Sequence, residues 1–280
     1  MKWIGKITKL WAYISFGLVG AVILFLFGYV FYRGFGTISV EFLTEAPKGL
    51  VLGEEGGIFP AIVGSLMFTG TAIVLGGIPA VASALYLVFY CKNRHVENVV
   101  HLVIQCISGI PSIVLGLFAY SFLVRDLNFG RCIFSAGVAL AIMILPFIEV
   151  RAEKAFREVP PDMVQSSYAL GCSRFYTVTK IILPACRGEL VSGIILGGCY
   201  AMGATAPMIF TGAVAYAAVP KSLFSPAMAL PLHLYLLVAQ GATSMDTAYG
   251  TAFVMMAIIL ISNMLATIYA RRSQNKWKKS

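Results

Sequence analysis

Charged residues are scarce in this chain. Only 12% of its 280 residues are Asp, Glu, Lys or Arg, whereas 59% are hydrophobic. A soluble domain needs about 25% charged residues to cover its surface. The composition therefore excludes an ordinary soluble protein and is typical of a membrane protein with several spans. The basic amino-terminal segment leads into a long apolar run without a small-residue cleavage site, which predicts a retained first span.

Motifs that would give the chain a chemistry of its own are missing. The sequence has no Gly-x-x-x-x-Gly-Lys-Ser/Thr phosphate loop, no His-Glu-x-x-His zinc motif and no Gly-x-Ser-x-Gly nucleophile elbow. Its six cysteines form no Cys-x-x-Cys pair, and its three scattered histidines give no metal-ligand spacing. We therefore predict that the chain is not an enzyme and holds no cofactor or metal.

Six apolar runs are long enough to cross a bilayer, which takes roughly 20 residues. None has an acidic or basic residue in its interior. A charge at the bilayer centre costs about 2.5–3.5 kcal/mol, and ion-coupled carriers usually need one. The sequence therefore disfavours a carrier powered by an ion gradient. The predicted spans are Leu10–Tyr32, Ala61–Tyr90, Val99–Val124, Cys132–Ile148, Leu190–Gly212 and Ala248–Ala270.

Lys and Arg are distributed asymmetrically between the loops. With the amino terminus inside, 16 of the 21 basic residues fall on cytoplasmic segments and five on outer ones. Because cytoplasmic loops carry the excess of positive charge, both termini and the loop 151–189 are predicted to be cytoplasmic. The net charge of +9 reflects this bias and gives no indication of nucleic-acid binding.

The loop 151–189 is the one long polar stretch between spans. Pro161 suits a first helical turn and Asp162 complements its dipole, so a short helix is predicted over Pro161–Leu170. Gly171 supplies a left-handed cap, after which Ser173 caps a helix that ends before a break at Pro184. From the pattern alone, the short helix either docks into a soluble partner or rests on lipid.

This loop resembles the coupling loop of ABC importer permeases. That family's pattern is Glu-Ala-Ala, three residues, Gly, nine residues and Ile-x-Leu-Pro. Gly171 and Ile181-x-Leu183-Pro184 match it with the right spacing, whereas Gln165-Ser166-Ser167 stands where the family has Glu-Ala-Ala. The resemblance implies an all-helical type I importer fold with six spans and a cytoplasmic coupling helix between the fourth and fifth.

Further motifs are similar to one branch of that family, the phosphate-importer permeases of the PstA type. They follow in order from about residue 42 to residue 212. The matching segments are Phe42-Leu43-Thr44-Glu45, Gly56-Gly57-Ile58, Pro60-Ala61-Ile62-Val63-Gly64-Ser65, Gly109-Ile110-Pro111-Ser112-Ile113-Val114, Met143-Ile144-Leu145-Pro146, Glu158-Val159-Pro160, Tyr168-Ala169-Leu170-Gly171 and Thr205-Ala206-Pro207.

What the resemblance implies is the membrane subunit of an ATP-driven phosphate importer in a bacterial or archaeal inner membrane. Its partners would be a second permease, a dimer of cytoplasmic ATPases that uses the ATP, and an extracytoplasmic phosphate-binding protein. The domains would be an amino-terminal tail, span and outer loop (1–60), the permease domain (61–270) and a basic tail (271–280).

The resemblance also suggests site residues. Contact with the ATPase would involve Pro161, Tyr168, Gly171, Arg174 and Pro184. The translocation path would involve Tyr200, Gly203, Thr205 and Pro207. Pro207 removes a backbone hydrogen bond in mid-span, which is tolerated where protein or a water-lined path satisfies the freed carbonyl.

The fifth span departs from the family in one respect. The family reads Arg-Ala-x-Gly-Glu-Thr-Ala-Pro, whereas this chain is neutral at Tyr200 and Ala204. Spaced four apart, the two positions would share a helix face, so the loss of both charges would be a coordinated change. Either the partner permease handles phosphate with its own charges, or this branch carries another oxyanion. A membrane scaffold or receptor without a conduit is the alternative from another functional class.

Overall fold

A computed structural model describes residues 2–49, 51–241 and 244–277. The chain is almost entirely helical there, and three π-helical stretches interrupt the α-helices, at Ile73–Gly77, Tyr120–Asp126 and Val178–Ile182. In chain order the α-helices are α1 (Lys2–Phe35), α2 (Val40–Thr44), α3 (Phe59–Ala72), α4 (Ile78–Phe89), α5 (Arg94–Ser108), α6 (Ser112–Ala119), α7 (Ile133–Arg157), α8 (Pro161–Ala169), α9 (Arg174–Thr177), α10 (Leu183–Gly203), α11 (Ala206–Thr211), α12 (Leu230–Gln240) and α13 (Met245–Trp277).

Five continuous helices in the described residues are long and apolar enough to cross a membrane. A sixth span is formed if the bent pair of α5 and α6 crosses as one unit. The prediction of an all-helical protein with six spans is confirmed. The five continuous spans are Thr8–Phe35, Phe59–Phe89, Ile133–Arg157, Arg174–Gly203 and Met245–Ser273.

The third predicted span is not straight. Instead of one helix over Val99–Val124, the chain turns through 95° between Arg94–Ser108 and Ser112–Asp126. Pro111 is the cause, because it lacks a backbone N–H and its ring disfavours a helical conformation at the residue before it. The Gly109 N–H closes α5 by donating to the carbonyls of Gln105 and Cys106.

The fourth helix is longer than its apolar run. The prediction ended the span at Ile148, but α7 continues to Arg157. The last turns bury Glu149 and Glu153 on one side of the helix while Arg151 and Lys154 remain exposed on another. Hydropathy located the end of the apolar run and not the end of the helix, because the last turns are stabilised by packing of one face only.

The predicted break at Pro184 was wrong. The helix runs without interruption from Arg174 to Gly203. The π-helical stretch Val178–Ile182 comes directly before the proline, and the Leu183 N–H donates to the Val178 carbonyl, five residues back. A proline ring clashes with the carbonyl four residues before it in an α-helix. The wider π turn changes that register at Lys180 and lets the helix continue.

The fifth span is shorter than predicted at its other end. The predicted run reached Gly212, but α10 ends at Gly203 and Ala204 is extended (φ −82°, ψ 121°). Continuing the helix would set the ring of Pro207 against the Gly203 carbonyl. Pro207 instead lies in the first turn of α11, where no N–H is needed. The prediction that positions 200 and 204 share a helix face was therefore wrong.

The residues group into two compact units, Met1–Ile58 with Leu234–Met256, and Phe59–His233 with Ala257–Ser280. In the first unit, α1 packs against the start of α13 through aromatic rings: Phe31 and Phe253 meet edge to face with centroids 4.5 Å apart. The segment between α2 and α3 holds a two-residue antiparallel ladder of β1 (Pro47–Lys48) and β2 (Glu55–Gly56).

The second unit is built around α7, which packs against α3, α4 and α10. In the most apolar window of α7, 61% of the residues are buried, the largest share among the spans. A core at one end of α7 joins Phe156, Ala152, Ile182 and Cys186 to Ala84 of α4. The end of α7 is thereby tied to the start of the fifth span.

The predicted domain boundaries at residues 60 and 270 remain predictions. Within the predicted tail 271–280, helix α13 continues to Trp277, and residues 278–280 lie outside the described residues. All six cysteines are free thiols.

Candidate functional site

The predicted surface helix is present as α8 (Pro161–Ala169). Pro161 occupies its first turn, with Asp162 as the acidic residue there. The helix starts here because Pro160 is extended (ψ 126°) and Pro161 has its φ fixed near the helical value. It ends at Ala169, one residue before the predicted end at Leu170.

Gly171 makes the turn that follows α8. Its φ is +81°, in the left-handed region that a side chain with a Cβ rarely adopts. The Cys172 N–H donates to the Ser167 carbonyl at 3.1 Å, which satisfies the helix end. Ser173 then caps α9, with its Oγ accepting from the Tyr176 N–H at 3.2 Å. The order of helix, Gly turn and helix is as the spacing predicted.

A buried hydrogen bond fastens α8 to the helix of the fifth span. The hydroxyls of Ser167 and Thr177 are 2.8 Å apart, and both side chains are buried. Thr177 Oγ1 also donates a hydrogen bond to the Ser173 carbonyl oxygen, at 3.1 Å. Sequence reasoning placed Ser167 on the polar side of α8 and gave Thr177 no role, because two hydroxyls ten residues apart carry no signal of contact. This hydrogen bond ties α8 directly to the helix Arg174–Gly203.

Four of the five predicted coupling residues lie in one short segment, and the fifth does not. Pro161, Tyr168, Gly171 and Arg174 belong to α8, its turn and the start of α9. Pro184 lies ten residues beyond Arg174, about 15 Å along a continuous helix. Four large apolar or aromatic side chains of the segment are exposed, namely Tyr168, Leu170, Phe175 and Tyr176.

A cavity of about 760 Å³ lies among α5, α6, α7 and α10. The bend at Gly109–Pro111 forms part of its wall, so the break in the third span creates the space. No acidic side chain is found among the described residues that line it. Its polar lining residues are Gln105, Ser108, Ser112, Arg151 and Tyr200.

Arg151 is the cationic residue of this cavity, and sequence reasoning missed it. The prediction assigned it to a cytoplasmic loop, because the apolar run stops three residues earlier. Its guanidinium lies 4.8 Å from the centroid of the Phe147 ring. Phe147 in turn stacks on Tyr200, with centroids 6.3 Å apart. The signal available in the sequence was its spacing, since Arg151 lies one helical turn beyond Phe147 at the end of the predicted fourth span.

Of the predicted path residues, only Tyr200 lines the cavity. Gly203 ends α10, and Thr205 precedes α11 with its carbonyl accepting from the Met208 and Ile209 N–H groups. Pro207 packs against α6: a Cβ on Gly116 would come 2.9 Å from the Pro207 Cα. The structure thus places Pro207 at a close helix crossing and does not bring the four residues together.

A cluster of charges joins α5 to the opposite face of α7. Arg157 Nη2 lies 2.7 Å from Glu153 Oε1 and 2.8 Å from Glu97 Oε1. His101 Nε2 lies 3.6 Å from the same Glu153 oxygen. Glu149, one turn before Glu153, is fully buried, and its carboxylate has no hydrogen-bond partner among the described residues.

Glu97, His101 and Glu153 could in principle share a cation, since their ligand atoms all lie within 4.8 Å of one another. The Arg157 guanidinium already contacts both carboxylates and supplies the compensating charge. The group therefore serves as an ion-pair network between two helices. Sequence reasoning saw no ligand spacing here because residues 97 and 153 meet only through the tertiary fold.

Replacing Arg157 with glutamine is expected to lower the melting temperature of the purified protein. Glu153 would lose its cation while remaining buried, which costs roughly 1–3 kcal/mol. The double variant Arg157→Gln/Glu153→Gln should recover part of the loss, because it removes both charges. Thermal unfolding of Arg157→Gln, Glu153→Gln and the double variant measures the coupling. Additive losses in the double variant would contradict an energetic pairing of these residues.

Comparisons with known proteins agree with this architecture. Residues 72–279 match the family described as "Binding-protein-dependent transport system inner membrane component". The methionine ABC transporter MetNI has a similar fold, with a TM-score of 0.59 at 18% identity over 77% of this chain and 97% of the other. The fold and the surface helix thus define the class of ABC importer permease subunits.

The family match covers most of the chain, which therefore belongs to the inner membrane components of binding-protein-dependent transport systems. One relative is a probable phosphate transport system permease protein PstA of Methanocaldococcus jannaschii, 33% identical over 74% of this chain and 73% of the other. Another is a probable ABC transporter permease protein, YqgI of Bacillus subtilis, 27% identical over 93% and 94%. The predicted resemblance to permeases of the PstA type is confirmed.

Proposed function

We propose that this permease subunit carries inorganic phosphate into the cell at the expense of ATP that a partner ATPase hydrolyses. One observation carries the mechanism. The surface helix α8 is fastened to the fifth span by the buried Ser167–Thr177 hydrogen bond. A force applied to α8 from the cytoplasm would therefore move a helix whose far end borders the cavity at Tyr200.

The partners follow from the surfaces that this mechanism needs. The exposed side chains of Tyr168, Leu170, Phe175 and Tyr176 would enter a groove on one subunit of an ATPase dimer. A second permease would complete the pathway, and an extracytoplasmic binding protein would deliver the anion. Both termini would be cytoplasmic, in keeping with the excess of Lys and Arg on that side.

Phosphate is the proposed substrate for two reasons. The cavity carries a guanidinium and neutral donors, and the described residues that line it include no carboxylate. A guanidinium binds phosphate oxygens through paired N–H groups. Among the relatives, several are phosphate transport system permease proteins. Another oxyanion of similar size is the alternative substrate.

The proposed function is tested with the assembled complex in lipid vesicles. ATP is enclosed with the ATPase, and the binding protein and labelled phosphate are added outside. Uptake should depend on both ATP and binding protein, exceed the ATP-free background at least tenfold, and withstand a tenfold excess of sulfate. If sulfate instead inhibits phosphate uptake, the alternative substrate, another oxyanion, would be favoured. Uptake driven by an ion gradient without ATP would contradict the proposal, and failure to bind any ATPase would favour a scaffold.

A further inference from the structure

We propose that Arg151 is the anion-binding residue of the translocation path, and that it passes the anion from the cavity to Lys154 in a second, inner pocket. This inference rests on the proposed function, since it assumes that an oxyanion is carried. Arg151 lines the 760 Å³ cavity together with Tyr200. It also lines a separate pocket of about 400 Å³ with Lys154, Ala155, Glu158 and Glu189. Arg151 thus stands where the two spaces adjoin.

Helix geometry puts the residues of this path on one face of α7. Phe147, Arg151, Lys154 and Glu158 are spaced by four, three and four residues, which places them in a row along the helix. The last three are exposed. Five residues of the other face, including both carboxylates of that face, are buried: Ile148, Glu149, Ala152, Glu153 and Phe156. Helix α7 itself therefore keeps the buried acids away from the path.

The donors of Arg151 are available to a ligand. Its guanidinium lies over the face of the Phe147 ring, a contact that does not use the N–H groups at the guanidinium edge. Two other arginines of this unit are engaged: Arg131 donates to the Ala213 and Ile209 carbonyls, and Arg157 contacts two carboxylates. In the described residues, no hydrogen bond or ion pair to Arg151 is found. A planar fork with free donors suits two oxygens of one oxyanion.

The cavity and the inner pocket differ in charge balance. Arg151 contributes a positive charge to the cavity, and the described residues that line the cavity include no carboxylate. In the inner pocket, Arg151 and Lys154 share the space with the carboxylates of Glu158 and Glu189. Lys154 lies 3.8 Å from Glu158, and both side chains are well exposed, which makes the pair weak. An anion is thus held more strongly in the cavity than in the pocket, which permits release on the inner side.

The roles are tested by labelled-phosphate uptake with the complex in vesicles, alongside ATP hydrolysis and assembly by size exclusion. Arg151→Gln should lower uptake at least tenfold while the complex still assembles and hydrolyses ATP. Arg151→Lys should keep about a third of the uptake, because a cation remains without the planar fork. Lys154→Gln should lower uptake about threefold. The matched control is Arg94→Gln, an exposed cation of α5 outside both pockets, which should stay within twofold of the unmodified complex.

Several results would overturn the inference. The first is that Arg151→Gln takes up phosphate at a rate within twofold of that of Arg94→Gln. The second is that Arg151→Lys assembles but transports no better than Arg151→Gln. The unmodified complex tests the proposed function separately. If it moves no phosphate, labelled sulfate is used with the same variants, so that the role of Arg151 is judged independently of phosphate. If neither anion is transported, the anion-binding role of Arg151 is wrong as well.

Discussion

Replacing Gly171 with valine is expected to lower ATP-driven uptake at least tenfold without preventing insertion of the spans. The backbone at Gly171 has a φ of +81°, and a Cβ there would meet no other atom within 4 Å. The effect is therefore one of backbone conformation alone, with a cost of roughly 1–2 kcal/mol for a left-handed residue and more for a β-branched one. The chain relieves this strain by changing the turn, which reorients α8 relative to α9.

The matched control for this change is Gly130→Val. Gly130 also has a positive φ, +72°, and also has nothing within 4 Å of an added Cβ. It lies in the loop before α7, far along the chain from the coupling segment. Uptake and ATP hydrolysis of both variants are compared in vesicles, and Gly130→Val should keep at least half of the uptake. Equal losses in the two variants would show a general folding defect and contradict a specific role for the turn after α8.

Replacing Gly64 with alanine is expected to destabilise the protein severely. Gly64 lies in α3 where a Cβ would overlap the backbone carbonyl oxygen of Met228. The Leu230 N–H donates to Ser65 Oγ at 2.8 Å, which holds the two segments at this separation. A backbone atom cannot move aside as a flexible side chain can, so overpacking here costs at least about 1–3 kcal/mol. We expect a fall in melting temperature of roughly 5 °C or more, or loss of folded protein.

Gly70→Ala provides the control in the same helix. Nothing lies within 4 Å of a Cβ built at Gly70. Alanine favours a helix over glycine by up to about 1 kcal/mol, so this variant should be as stable as the unmodified protein or slightly more stable. Fluorescence-detected size exclusion after heating compares the two. A Gly64→Ala variant as stable as Gly70→Ala would mean that α3 and residues 228–230 do not approach as closely as described.

The parts of the fold that were predictable depend on local chemistry. The left-handed turn at Gly171 and the cap at Ser173 follow from residues within one helical turn of each other, and both are present. The spans follow from apolar length, and a polar stretch of sufficient length between two of them marked the segment with α8. The coupling-loop motif lies in the same segment, and the match over residues 72–279 confirms the family.

The breaks in the helices were harder to predict, because proline acts differently in each context. Pro111 coincides with a 95° bend, and Pro207 opens a new helix after α10 has ended. Pro184 is absorbed by a π turn, and Pro146 lies within α7 without ending it. The sequence shows at which residues a backbone N–H donor is missing. Whether the helix then bends, ends or continues depends on the packing around the freed carbonyl.

The sequence by itself determined the spans, the charge asymmetry and the short helix with its Gly turn, since each arises from neighbouring residues and their solvent. Only the tertiary structure decided that Arg151 belongs to a cavity and that Ser167 bonds to Thr177. It also decided that Glu97 meets Glu153 through Arg157. Those relations join residues that lie on different helices. They exist only once the helices have packed against each other.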